Sequence, residues 1–312
     1  MAKARPDQVP DPPEDEEFAD VEDLADAVGM GAEDLEIDDD EDDPDEDDGG
    51  DEDADSDGED EADAKAKATK KKASKSKKDE DDGPPPHAKE PVPSRAELRK
   101  ALEWAFEKED APAEFLDRCA DHAHFVQKAN RKINLTKILD PKEIAAKHYL
   151  DAWRTTRLLP LLGRTVLDLG SGAGYPGVPI AFAEPNARIV LLDSIEKKAK
   201  FLAETVETLE IKNAEAVCER AEEHLIRNRY DVVVVRAVSS VRENVRLLRR
   251  VRHSLADYVM MKGPSWSREV RAGEREAERL GFRLDTVWEH ELPGEMGGRA
   301  ILVYRAPGGH GE

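Results

Sequence analysis

The residues best suited to chemistry in this 312-residue chain lie in Thr165-Val-Leu-Asp-Leu-Gly-Ser-Gly-Ala-Gly-Tyr-Pro-Gly177. Val166, Leu167 and Leu169 predict the end of a buried parallel strand. The glycines that follow allow a sharp turn and close approach to a bound nucleotide. Pro176 and Pro179 stand where a helix would start, with its first amides free to face an anion or a carboxylate. Gly172-x-Gly174-x-x-Gly177 fits the dinucleotide fingerprint, which is a weak signal alone. Asp168 and Gly170 extend it to apolar-Asp-apolar-Gly-x-Gly-x-Gly. A second acid at the end of the next strand would take ribose hydroxyls, and Arg188-Ile-Val-Leu-Leu-Asp193 supplies it. A chance turn does not bring that partner, so the pair of acids favours a cofactor site.

The surrounding elements must position this loop. Ser94-x-x-Glu97 is a capping box, and Leu98, Leu102, Ala105 and Phe106 recur at helical spacing. A second helix is expected from Pro112, with His122 and His124 at its surface or boundary, and a third from Pro141. Asn134 and Thr136 read as turn and cap residues, and His148 as a histidine on a helix face. Strands are expected at Ile189–Leu192, Ala214–Cys218, Tyr230–Arg236, Tyr258–Lys262, Phe282–Leu292 and Arg299–Tyr304. Between them, Ser194 would cap one helix, and another would run from Val241 to Leu255. Strands alternating with helices predict an α/β fold with a doubly wound, mostly parallel seven-stranded sheet. Pro293-Gly-Glu-Met-Gly-Gly298 joins the last two strands as an antiparallel pair.

Charge divides the chain sharply. The whole sequence carries 71 acidic and 47 basic residues, net −24. Residues 1–90 hold 37 acids and 11 bases, so the remaining 222 residues are nearly neutral. The acid-rich and lysine-rich tail has Phe18 as its only aromatic and is expected to be disordered, because it has too little apolar surface to offset ordering. The expected organisation is a tail and Pro-rich linker over 1–93, a helical part over 94–162, a Rossmann-like core over 163–306 and a flexible end over 307–312. The first residues have no apolar run, and no stretch reaches membrane-spanning length. Cys119 and Cys218 are too isolated for a disulfide framework or metal site and are expected to be buried. These features predict a soluble, cytoplasmic, monomeric protein with no metal.

Several motifs, in order, carry a resemblance. The glycine loop itself resembles motif I of class I S-adenosylmethionine-dependent methyltransferases. Asn134-Leu-Thr136, His148-Tyr-Leu-Asp151, the loop ending Tyr175-Pro-Gly177, Leu191-Leu-Asp-Ser194, Lys197-Lys-x-x-Phe-Leu202, Arg236-Ala-Val and Lys262-Gly263 together resemble the bacterial RsmG (GidB) family, from about Ser94 to Ala306. That resemblance implies methylation of guanine N7 in small-subunit (16S) ribosomal RNA with S-adenosyl-L-methionine. It implies cofactor contacts at Gly170, Gly172, Tyr175 (a possible lid), Asp193, Ala221, Glu222 and Arg236. Asn134, His148, Arg242, Arg246 and Lys262 are candidate contacts to the RNA, whether bare or in the small subunit. Arg242, Arg246 and Arg249 fall at i, i+4 and i+7 of the expected helix, where they suit phosphates.

No catalytic residue is assigned. The place after the fourth strand reads Arg236-Ala-Val-Ser-Ser240, without the Asp/Asn-Pro-Pro-aromatic tetrad that often serves exocyclic amines. Neither cysteine ends a strand facing the site, as attack on a pyrimidine carbon would need. Guanine N7 has an in-plane lone pair and no proton to remove, so alignment and electrostatics suffice. Alternatives are a class I methyltransferase for another RNA site, a nicotinamide-dependent oxidoreductase, and a non-catalytic RNA- or ribosome-binding factor.

Overall fold

A computed structural model describes residues 88–236 and 239–307. The acidic tail, most of the linker and the last five residues lie outside this range, and so do the expectations placed on them. Helices α1 (Arg95–Ala105), α2 (Ala113–Asn130), α3 (Pro141–Ile144) and α4 (Asp151–Leu158) precede the sheet. The capping box at Ser94 and Glu97 starts α1, and Asp140 caps α3 ahead of Pro141. Between α3 and α4 the chain winds as a π-helix over Ala145–Leu150, a widened turn that the sequence pattern does not announce.

The sheet then alternates with helices. Its elements are β1 (Thr165–Leu169), α5 (Gly177–Ala183), β2 (Arg188–Asp193), α6 (Glu196–Thr208), β3 (Ala214–Cys218), α7 (Ala221–Arg227) and β4 (Tyr230–Arg236). They continue as α8 (Val241–Leu247), β5 (Leu255–Lys262), α9 (Trp266–Arg279), β6 (Arg283–Glu291) and β7 (Gly298–Arg305). The strand order is β3-β2-β1-β4-β5-β7-β6, with β7 antiparallel to both neighbours. The order reverses between β1 and β4, where open α/β sheets bind ligands beyond their carboxyl ends.

Alternation along the central strands explains their unbroken apolar runs. Val166, Ile189, Leu191, Val232 and Val234 join a core with α1, α2 and α5, whereas Leu167, Val190, Leu192, Val233 and Val235 face a second core with α8 and α9. Both faces are covered, so apolar residues fill the middle of β1, β2 and β4.

Three local expectations change. Helix α8 stops at Leu247, because Leu248, Val251 and Leu255 all turn inward and the chain re-enters the sheet at Leu255. Arg249 therefore lies off the helix that carries Arg242 and Arg246. Ser194 is exposed and does not cap α6; the Asp193 carboxylate takes the Ile195 amide instead, at 2.9 Å. Cys119 is buried, but Cys218 is exposed at the end of the edge strand β3.

Candidate active site

The glycine loop leaves β1 at the switch point. Gly170 and Gly172 adopt φ of +74° and +60°, a region that disfavours side chains. Two strand-end carboxylates hold the loop. Asp168 Oδ2 accepts from Ser171 Oγ at 2.6 Å and from the Gly177 amide at 2.8 Å. The first amide of α5 thus faces the chain's own carboxylate rather than a ligand. Gly177 permits this closeness, since a Cβ there would stand 2.7 Å from Asp168 Oδ2 and 2.3 Å from Leu191 Cδ2. Burial raises the Asp168 carboxyl to about 6, against the two hydrogen bonds that favour its charge. Its Oδ1 is buried without a partner among the described residues. Asp193, one strand over, accepts from the Gly172 amide at 3.0 Å and from the Ile195 amide.

A buried polar chain backs the loop from α2 and the π-helix. His122 is fully buried, not at the surface as expected. Its Nε2 lies 3.2 Å from the carbonyl oxygen of Ala173, which only accepts, so Nε2 carries the proton. Nδ1 is therefore an acceptor for Tyr149 Oη at 2.9 Å, and Tyr149 in turn accepts from Tyr175 Oη at 2.9 Å. Burial lowers the His122 imidazole to about 3, keeping this chain neutral. Tyr175 is 4% exposed and hydrogen-bonded inward, so it is part of the loop's foundation and not a lid.

His148 stacks on the Tyr175 ring, with centroids 4.2 Å apart, and Arg236 Nη1 donates to its Nδ1 at 2.7 Å and to the Lys147 carbonyl at 3.2 Å. His148 is buried, so it is neither an open helix-face histidine nor placed to touch phosphate directly. Asn130 braces the loop before α3: its Oδ1 accepts from the amides of Leu135 and Thr136, and its Nδ2 donates to the Thr136 carbonyl. Asn134 is exposed on that loop, and Thr136 Oγ1 accepts from the Ile138 amide.

Two cavities open beyond the strand ends. One, of about 210 Å³, follows β1, β2 and β3 and is lined by Gly170, Asp193, Ser194, Arg220, Ala221 and Glu222. The other, of about 470 Å³, follows β4 and β5. Its wall carries four cations, Lys147, Arg236, Lys262 and Arg299, and two acids, Asp151 and Glu269. Lys262 is buried at this wall, donating to the Ser239 carbonyl and pairing with Glu269 at 2.9 Å. It is a fixed cavity charge, unlike an open phosphate contact.

The family model described as rRNA small subunit methyltransferase G (GidB) matches residues 116–293, from inside α2 to the end of β6. The chain belongs to this family. Two curated relatives of that name, from Solibacter usitatus and Carboxydothermus hydrogenoformans, are 35% and 33% identical. The first alignment covers 60% of this chain and 88% of the relative; the second covers 56% and 77%. Among solved structures, Aeropyrum pernix fibrillarin with natively bound S-adenosyl-L-methionine matches with a TM-score of 0.40 and 15% identity, over 50% of this chain and 73% of that one.

Within this GidB chain, the fold gathers Gly170, Asp193, Ala221 and Glu222 on one cavity and Arg236 and Lys262 on the other. Arg242 and Arg246 are exposed on α8, where Arg246 pairs with Glu276 of α9 at 3.2 Å. The sequence reading missed the His122–Tyr149–Tyr175 chain and the pair of Asp151 with His290 at 3.0 Å. No spacing signals either one, because their members lie on separate elements and meet only when the helices pack on the sheet.

Proposed function

We propose that this chain transfers a methyl group from S-adenosyl-L-methionine to N7 of a guanine in small-subunit ribosomal RNA. The observation that carries the reading is the pair of cavities on either side of the sheet's switch point, one ending on Asp193 and the other lined by cations, in a chain of the GidB family. The first cavity fits the cofactor. Asp193 borders it with acceptor capacity for a ribose diol, Ala221 and Glu222 border it beyond β3, and the unpartnered Asp168 Oδ1 suits a cationic group beside the loop. Gly170 and Gly172 would admit the methionine end by close backbone approach.

When bound, the cofactor supplies an electrophilic methyl group on a sulfonium. The chain's own task is then to hold the base, and guanine N7 needs no proton removed. Arg236 is fixed by the Lys147 carbonyl and His148, and Lys262 by Ser239 and Glu269. Such preorganised donors match a base rich in acceptors and its flanking phosphates without rearranging during the reaction. Exposed Arg242 on α8 suits phosphate further from the cavity.

The same reading takes residues 94–162 as a helical support for the core at 163–306, with the acidic stretch 1–93 outside the catalytic unit. It takes the protein to be a cytoplasmic monomer acting on small-subunit RNA or the subunit itself. Among the described residues, no helix is long and apolar enough to cross a membrane. The test is transfer of label from S-adenosyl-L-methionine to undermethylated small subunits and to bare RNA, with the product mapped. Label on N7 of one guanine is expected; label on a pyrimidine or an exocyclic amine rejects the N7 assignment, and no label on either substrate rejects the enzyme reading.

A further inference from the structure

Asp151 is the first residue of α4, is 3% exposed, and still borders the 470 Å³ cavity. Its Oδ1 lies 3.0 Å from His290 Nε2 on β6. A carboxylate here accepts, so Nε2 carries the imidazole proton. The other ring nitrogen, Nδ1, is buried without a partner among the described residues, so the pairing with Asp151 is the ring's one side-chain hydrogen bond there. Asp151 Oδ2 has no hydrogen-bond partner among the described residues either. The cavity's other acid is already engaged: Glu269 pairs with Lys262 and accepts from Ser265 Oγ at 3.2 Å. Asp151 is thus a carboxylate held at one oxygen and open at the other, on the wall of a cavity whose other charges, apart from the Lys262-paired Glu269, are cationic.

A desolvated carboxylate favours hydrogen-bond donors and rejects facing lone pairs. Guanine presents two adjacent donors, N1–H and the N2 amino group, on the edge remote from N7. Adenine and cytosine each place an acceptor beside their amino donor, and uracil has one donor flanked by two acceptors. The cations of the same wall suit guanine's O6. Recognition through the N1/N2 edge also leaves the N7 lone pair unoccupied for reaction. We propose that Asp151, oriented by His290, is the residue that selects guanine, accepting from its N1–H and N2 amino group. This rests on the guanine methyltransferase reading above.

The experiment compares small-subunit RNA carrying guanine at the mapped target with the same RNA ligated to carry inosine, which keeps N1–H and N7 and lacks only the N2 amino group. Both kcat/KM and equilibrium affinity are read, for wild type and Asp151→Asn, with S-adenosylhomocysteine affinity and thermal unfolding as controls for folding. Loss of one hydrogen bond to a charged acceptor predicts that wild type prefers guanine by roughly tenfold or more. Asp151→Asn, which presents at most one acceptor, is expected to be weakened on guanine RNA and to discriminate less than about threefold. His290→Gln, which loosens the carboxylate without removing it, is expected to fall between. Equal wild-type use of both RNAs, or undiminished discrimination by a folded Asp151→Asn protein, overturns the proposal while leaving guanine methylation standing. Absence of transfer by wild type to guanine RNA is instead the failure of the underlying reaction.

Discussion

Nη1 of Arg236 stands 2.7 Å from Nδ1 of His148, and a guanidinium only donates, so His148 must be neutral with its proton on Nε2. Burial first, and then the Arg236 charge, push that imidazole well below its ordinary range. The end of β4 and the π-helix are therefore joined by a bond that exists only while His148 stays unprotonated.

Stability should accordingly fall as the solution is acidified. His122 and His148 titrate near 6.5 when unfolded and far lower when folded, so below pH 6.5 the unfolded chain binds more protons. Between pH 7.5 and 5.5 both histidines therefore cost stability, His122 on the order of 1 kcal/mol and His148 in the same direction. Asp168, raised to about 6 in the fold, acts oppositely and offsets part of that loss over the same window. Two histidines against one carboxyl leave a net loss of stability on acidification. Denaturant unfolding at the two pH values checks it, and a folded His148→Gln variant should show a shallower dependence.

Gly177→Ala should damage both the fold and the cofactor site. The new Cβ would stand 2.3 Å from Leu191 Cδ2 and 2.9 Å from Asp168 Cβ, inside a packed core. Overpacking of this kind costs about 1–3 kcal/mol, and relief requires moving the strand-end acid. Unfolding and S-adenosylhomocysteine titration are the measurements; native stability with native affinity would show that α5 shifts freely.

Asp193→Ala should reduce cofactor affinity on the order of tenfold or more, by removing acceptors for the ribose diol. The same carboxylate holds the Gly172 and Ile195 amides, so some stability is lost as well. Calorimetric titration below the unfolding transition separates the two effects. Unchanged affinity would mean that the ribose does not lie at the end of β2.

The two arginines of α8 should differ in how they affect RNA. Arg242 is exposed, whereas Arg246 pairs with Glu276, which also takes Arg279 at 2.7 Å. Arg242→Ala is expected to weaken binding to all RNAs and lower the log-affinity salt slope by roughly one. Arg246→Ala should change that slope less, because a carboxylate already shares the charge. Filter binding across a salt series distinguishes them, and identical slopes for both variants would remove α8 from the RNA surface.

The succession of strands and helices along the chain, the glycine loop and the two strand-end acids were legible in the sequence because each depends on neighbours within a few residues. Val232–Val235 form an unbroken apolar run because both faces of β4 are buried, and Ser94 and Glu97 cap α1 within one turn. Local rules also failed where a nearer or larger force won. Helix α6 starts after Ile195 without a side-chain cap while Asp193 takes the Ile195 amide, and inward packing of Leu248, Val251 and Leu255 ended α8 early.

What only the tertiary structure decided is the state of the polar groups beneath the site. His122, His148 and Tyr175 read as boundary, helix-face and loop residues, yet packing of α2 and the π-helix against the loop buries all three. Burial fixes their protonation and tautomers, since a desolvated imidazole stays neutral and must match its partners. Asp151 and His290 meet across 139 positions of sequence, and no periodicity carries information over that range. Sequence patterns report which face of an element is apolar; only the packed sheet determines which polar groups from different elements share the same dry space.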